Sequence, residues 1–463
     1  MKKRRVIMVG YLDLPWAEKA GYGTIYYSEV KDMSKKITDS KQIAKDMMDF
    51  IDKSPTCFHV VENLKQKLVK EGFTELKESE EWKLKVGKYF VIRNDSAVIS
   101  FKIPKKDFKG FYMIASHSDS PSFKIKDNPE MESCGAYVKL NTEKYGGMLC
   151  AQWFDIPLSV AGRLIVKSKK KGFKTKLVNV DRDLLMIPSL AIHMNREVND
   201  GYKYNPQVDM IPVFGDADSK EKFFDVVAEA AGVSKEDILG HDLFLYNRVH
   251  PTFWGANEEF ISSSRLDDQE CVYTTFEGFI NSGDSENVAM HCVFDNEEVG
   301  SGTKQAADST FLKDTLIRIN HALGRNDQQY YTAVANSFMI SADNAHAVHP
   351  NHVDKADPVN RPIMNKGIVI KYNANQKYTT DAVSAAFFKV ICEKAQVPFQ
   401  SYTNRSDIAG GATLGNKTTV QVSVDAVDIG LAQLAMHSPY ESAGSLDPEY
   451  MVKASKAFYE YKA

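Results

Sequence analysis

From Asn257 to the carboxyl terminus the sequence alternates between helix-type and strand-type segments, and no other feature limits the fold so tightly. Residues 268–281 read as a helix, 288–294 as a strand, 310–324 as a helix and 338–342 as a strand. A strand over 367–372, a helix over 381–395, a strand over 399–402, a glycine-rich loop and a strand over 418–424 follow. Such alternation predicts an α/β fold with a central, mainly parallel β-sheet flanked by helices. Ligands in sheets of this kind collect beyond the strand ends. The chemistry should therefore sit where these strands stop.

Val288 to Phe294, apolar apart from His291, leads into Asp295-Asn296-Glu297-Glu298-Val299-Gly300-Ser301-Gly302. This order reads as a buried strand that delivers two acids to a glycine-rich turn. Adjacent acids can divide labour, one holding a metal and the other taking a proton from water. Other ligand-type residues occupy similar places. Tyr112 to Ala115 leads into His117 and Asp119, which share one face of an extended chain. His117 suits a metal ligand and Asp119 the carboxylate that orients its ring. Asp267 and Asp268 precede a helix, where one acid is a natural N-cap and the other is left free. The strand Met339 to Ala342 ends on Asp343, and Leu434-Ala435-Met436 ends on His437.

Two tempting patterns carry less. His346, His349 and His352 recur every three residues, but Pro350 interrupts the helix that would align them, so pocket or supporting roles are expected. Residues 410–418 imitate a phosphate-binding loop, yet Asn416 separates Gly415 from Lys417 and breaks the motif.

The 463 residues exceed one ordinary core, which predicts two domains or three. With 58 basic and 61 acidic residues, a net charge of −3 and 43% hydrophobic content, nothing marks a nucleic-acid or membrane-surface protein. Six scattered cysteines without a Cys-x-x-Cys pair read as reduced, mostly buried thiols in a cytoplasmic protein. Lys2-Lys3-Arg4-Arg5 and the short apolar run after it imitate a secretion signal, but Asp13 and Glu18 follow too soon. No apolar stretch is long enough to span a bilayer. Residues 40–68 read as a helix pair broken at Ser54-Pro55-Thr56. Short strands are expected at 89–92, 97–101 and 110–115. Between 121 and 256 the character changes: strand-like runs at 136–140, 159–166 and 173–179 lie between Gly-, Asn- and Lys-rich turns, and Lys169-Lys170-Lys171 before Gly172 reads as a solvated hairpin turn. This segment reads as a β-rich inserted domain.

The motifs His117-Ser118-Asp119-Ser120-Pro121, Arg265-Leu266-Asp267, Asp295 to Ser301, Ser341 to Asn351 and Gln433 to Ser438 occur in one order. Together they make the chain resemble the dinuclear-metal aminopeptidases of the vacuolar aminopeptidase I and aspartyl aminopeptidase family, from about Lys41 onward. The resemblance implies a zinc-aminopeptidase-like catalytic domain over 37–120 and 257–463, with 121–256 as an inserted dimerisation domain. It implies that His117 and Asp343 hold one metal, Glu298 and His437 the other, with Asp267 bridging, Asp119 supporting and Glu297 as general base. The ions would be zinc, with manganese and cobalt compatible with the same ligands. His193 would reach the active site of a neighbouring subunit, and the assembly would be a dimer-based tetrahedral dodecamer. Lys371 matches a basic residue near the family's substrate pocket without deciding between acidic and neutral substrates. Trp153 to Leu158 departs from the family's pattern, since Ile156 and Pro157 stand where a charged pair is usual. Residues 1–36 have no counterpart and read as an extension.

The activity so implied is hydrolysis of the N-terminal residue from peptides with a free amino terminus. A second two-metal hydrolase, an amidohydrolase or deacylase, would use the same fold. A non-catalytic binding protein would not need every ligand position filled.

Overall fold

The computed structural model of the chain describes residues 27–462. The basic amino-terminal cluster and most of the expected 1–36 extension lie outside the described residues. The described residues form three sheets of nine, six and five strands.

The nine-stranded sheet runs in the order Thr74–Leu76, Gly87–Arg93, Ala97–Ile103, Val288–Phe294, Phe111–His117, Phe338–Ala342, Asp425–Gly430, Ile368–Tyr372 and Phe399–Thr403. The four strands from Val288–Phe294 to Asp425–Gly430 are parallel. Antiparallel pairs join the flanking strands to them. Every residue of Phe111–His117, Val288–Phe294 and Phe338–Ala342 is buried. Successive side chains feed opposite faces, as the pleat requires. Tyr112 and Ile114 join one core with the helices Tyr27–Asp52, Cys57–Lys70, Leu266–Ile280, Ala382–Ala395 and Asp447–Tyr459. Phe111, Met113 and Ala115 join another with Phe311–Ala322 and Asp327–Ala335. Near-continuous apolar strands therefore mark a sheet covered on both sides.

Several elements differ from the sequence expectation, among them the unpredicted helices Phe223–Ala231 and Asp447–Tyr459. Residues 418–424 do not form a strand: a helix spans Gly415–Gln421 and the strand is Asp425–Gly430. The β-branched run favours strand locally, but the Thr418 and Thr419 hydroxyls donate back to the Leu414 and Gly415 carbonyls at 2.8 and 3.0 Å. The strand begins only where it can pair with Phe338. The helix Asp327–Ala335 was not expected either; its apolar face is weak, and it starts from a capping box made by Asn326 and Gln329.

The six-stranded sheet is antiparallel throughout, in the order Gly172–Asn179, Leu158–Ser168, Ile238–Asn247, Ser122–Ser133, Tyr137–Tyr145 and Val213–Asp216. Lys169, Lys170 and Lys171 are exposed in the turn that pairs Ser168 with Gly172, as expected. This sheet has its own core, built on Phe123, Leu164, Leu245 and the helix Phe223–Ala231. The smallest sheet joins Thr252–Trp254, Phe260–Ser263, Glu441–Gly444, Ala432–Leu434 and Ala345–His346 beside the ends of the parallel strands.

Candidate metal centre

Parallel pairing brings the strand ends together. Phe294 lies opposite His117, and Ser341 lies opposite Ala115. His117 is thus the last residue of its strand, Asp343 follows the next, and Glu297 and Glu298 occupy a tight turn just after Phe294. Gly430 permits the close approach that places Asp343, since a Cβ there would sit 2.0 Å from the Asp343 carbonyl oxygen. Asp267 opens the helix Leu266–Ile280 from the side, and His437 follows Ala432–Leu434.

Ligand atoms of His117, Asp267, Asp268 and Asp343 all lie within 4.8 Å of one another, as do those of Asp267, Glu298 and His437. Asp267 belongs to both groups. One of its oxygens faces His117 Nε2 at 3.4 Å and the other faces His437 Nε2 at 3.3 Å. Glu298 Oε2 is 3.4 Å from the same His437 nitrogen. Both rings are oriented from behind by main-chain carbonyls. His117 Nδ1 donates to the Asp119 carbonyl at 3.1 Å, and His437 Nδ1 donates to the Gly147 carbonyl at 2.5 Å. With Nδ1 committed to a carbonyl, each ring is the tautomer that presents Nε2 to a cation in place of a proton, as a metal ligand must.

Asp119 has a different task from the one its spacing suggests. Its carboxylate is 3.5 Å from His117 Nδ1, while its main-chain oxygen makes the hydrogen bond to that ring. The carboxylate instead accepts from the Glu297 and Glu298 main-chain N–H groups at 3.1 and 3.2 Å, and from the Tyr145 hydroxyl at 2.6 Å. It therefore fixes the acid-bearing turn. Asp267 and Asp268 also depart from expectation, because neither caps the helix with its side chain. The cap position is Arg265, in the left-handed region, and the Asp267 backbone is not helical. The Asp267 N–H is held by Glu441, and Asp268 accepts from the His117 N–H at 3.1 Å. Both carboxylates are consequently directed to the centre.

The charges are badly matched without a cation. Burial, reinforced by neighbouring acids, pushes Glu297 up to about 8 and Glu441 up to about 8. Burial works against a charged His117, but Asp268, Asp119 and Asp267 outweigh it and raise its pKa well above the ordinary value. His437 is likewise opposed by burial and raised to about 9 by Asp267. Burial would raise Asp267, yet the two histidines facing its oxygens, when protonated, hold it well below the usual range. Asp267 Oδ1, Asp268 Oδ1 and Glu298 Oε1 are buried without a hydrogen-bond partner among the described residues. Orphaned buried acceptors are costly, and a divalent cation satisfies them. The donor set fits.

Other residues fall outside. His193 is exposed on a loop of the inserted segment and belongs to neither ligand group. His346, His349 and His352 are also in neither group, and the rings of His349 and His352 stand 5.0 Å apart. Lys371 is buried with its ammonium 3.6 Å from Asp343. Sequence reasoning does not single out Asp268, Glu441, Tyr145 or Gly147 as parts of the site. Asp268 is masked by its neighbour, and the other three act through contacts between distant segments that no local motif records.

The model of the aminopeptidase I zinc metalloprotease (M18) family matches residues 50–459. A probable M18 family aminopeptidase 2 from Clostridium acetobutylicum is 49% identical over 426 residues, covering 90% of this chain and 98% of that protein. A protein of the same description from Pseudomonas aeruginosa is 37% identical over 427 residues, with the same coverage. Among solved structures, Ape4 in its complex with Nbr1 superposes with a TM-score of 0.88 at 34% identity, covering 91% of this chain and 86% of that one. The S. cerevisiae mApe1 dodecamer gives 0.80 at 27%, covering 91% and 97%.

Proposed function

The chain belongs to the M18 family of zinc metalloproteases, the aminopeptidase I and aspartyl aminopeptidase type, and on that premise we propose how its own residues remove the N-terminal residue of a peptide. His117, Asp267 and Asp343 hold one divalent cation, with Asp268 beside them, and Asp267, Glu298 and His437 hold a second. Zinc is the natural ion given the family, with manganese and cobalt suited to the same ligands. When bound, such a pair acidifies water and polarises a carbonyl. The observation that carries this reading is Asp267, whose two oxygens face two histidines in separate ligand groups.

Glu297 belongs to neither group, although its main chain is locked by Asp119. It acts as the general base: it takes the proton of the attacking water and returns it to the leaving amine. Asp119 keeps Glu297 and Glu298 in register, and main-chain carbonyls keep the two histidines in the right tautomer. The free α-amine of the substrate is recognised by the surplus carboxylates of the site, which makes the cleavage exopeptidic.

The segment 121–256 serves as a dimerisation domain within a homo-oligomer, a tetrahedral dodecamer of dimers. The dodecameric S. cerevisiae relative supports this, as do Leu190, Ile192 and Met194, exposed around His193. His193 reaches a neighbour's centre and stabilises the developing oxyanion. A cytoplasmic location fits six free cysteines, and no helix among the described residues is long and apolar enough to cross a membrane. Amino-acid p-nitroanilides should be cleaved and their N-acylated forms left intact. The reverse preference would favour an amidohydrolase or deacylase.

A further inference from the structure

Behind the ligands lies a buried carboxylate that touches no ligand side chain and is not needed to fill either ligand group. Glu441, 1% exposed, begins the strand Glu441–Gly444 in the smallest sheet. Its Oε2 accepts from the Asp267 main-chain N–H at 3.0 Å. Its Oε1 accepts from the His437 main-chain N–H at 2.7 Å and from Gln433 Nε2 at 3.3 Å. One side chain thus ties the segment carrying Asp267 to the loop carrying His437, 170 positions away by their residue numbers.

The tie sits where the backbone most needs holding. Ala435 and His437 both have positive φ, 56° and 68°, and Asp267 departs from helical geometry. Non-glycine residues persist in such conformations only when their surroundings determine them. The network continues away from the centre: Gln433 Oε1 accepts from Asn344 Nδ2 at 2.7 Å, and the same amide donates to Glu270 at 2.9 Å. Asn344 follows Asp343 directly, so the third ligand segment joins the same chain of hydrogen bonds.

We infer that Glu441 is a positioning residue for the metal pair, fixing the separation between Asp267 and His437 by accepting one main-chain N–H from each. This rests on the ligand assignment proposed above. Two acceptor oxygens are required, and the spacing must be that of glutamate. An amide of the same shape offers one acceptor and turns a donor toward the other N–H. A shorter carboxylate cannot span both.

The test is metal binding by Glu441→Gln, measured by chelator competition with zinc and by the visible spectrum of the cobalt-substituted protein. Asp447→Asn is the matched control. Asp447 is also fully buried and accepts two main-chain N–H groups, from Asn365 and Gly367 at 2.6 and 3.0 Å, but it belongs to neither ligand group. For Glu441→Gln, affinity at the Asp267, Glu298 and His437 site should fall about 10- to 100-fold, the range for supporting partners of metal ligands. The cobalt spectrum should change as well. Asp447→Asn should lower the unfolding temperature while leaving metal affinity and spectrum unaltered. Unchanged metal affinity in Glu441→Gln, or an equal loss in both variants, would overturn the positioning role. A wild-type protein that takes up no metal at these residues would instead overturn the ligand assignment beneath it.

Discussion

The parallel strands of the nine-stranded sheet are buried along both faces, whereas Ser122–Ser133 and Tyr137–Tyr145 of the six-stranded sheet alternate between buried and open positions. The first arrangement suits a sheet enclosed by helices, and the second suits one with a face left available to solvent or a partner. The candidate ligand residues all come from the first region, its flanking helix and the small sheet beside it. The six-stranded region nevertheless enters the centre at the open end of its Ser122–Ser133 and Tyr137–Tyr145 pair, far from their turn. The Tyr145 hydroxyl donates to Asp119 and accepts from Asn296 Nδ2 at 2.8 Å, and the Gly147 carbonyl holds the His437 ring. Gly146, at a φ of 76°, lets this segment pass Glu298, because a Cβ there would lie 3.2 Å from the Glu298 Cβ. On the proposed assignment, one region supplies the reacting groups and the other helps fix where they point.

Three substitutions sharpen that division. Glu297→Gln removes the proposed base and should lower turnover about 10²- to 10⁴-fold. Metal content, read by elemental analysis, should stay near normal. Near-wild-type turnover would place the base elsewhere. His193→Ala removes a residue of the inserted region and should inactivate through a neighbour. Mixing these subunits with Glu297→Gln subunits should restore part of the activity, because some interfaces pair an intact base with an intact histidine. No recovery after verified subunit exchange would remove His193 from the shared site. Tyr145→Phe deletes one hydroxyl from the open end of that strand pair. A loss of about tenfold in kcat is expected, on the scale of supporting interactions around metal ligands, with metal still bound. An unchanged kcat would reduce the inserted region's contact with the centre to packing.

The sequence was most informative where one strand carries both the fold signal and the chemistry. Val288–Phe294 and Phe338–Ala342 are found at the expected residues, because a short apolar run between turn signals admits few other solutions. The Thr418 to Val424 region misleads for the opposite reason. Its β-branched residues fit a strand, but hydroxyl bonds back to the preceding turn and the position of the pairing partner decide otherwise. The ligand-type residues were visible as acids and histidines at element ends. Their supports were not. Asp119 is two residues from His117, which suggests ring orientation, yet its carboxylate holds residues 178 and 179 positions away. Glu441 follows His437 by four residues, a faint signal with no meaning until Asp267 is placed beside it.

On the proposed assignment, His117, Asp267, Glu298, Asp343 and His437 hold two metal ions with Asp267 between them. Anomalous scattering from crystals of metal-replete protein, collected at the absorption edge of the bound metal, tests it most directly. Two peaks are expected, one among His117, Asp267 and Asp343 and one among Asp267, Glu298 and His437. A single peak under metal-replete conditions, or peaks away from these side chains, would contradict it.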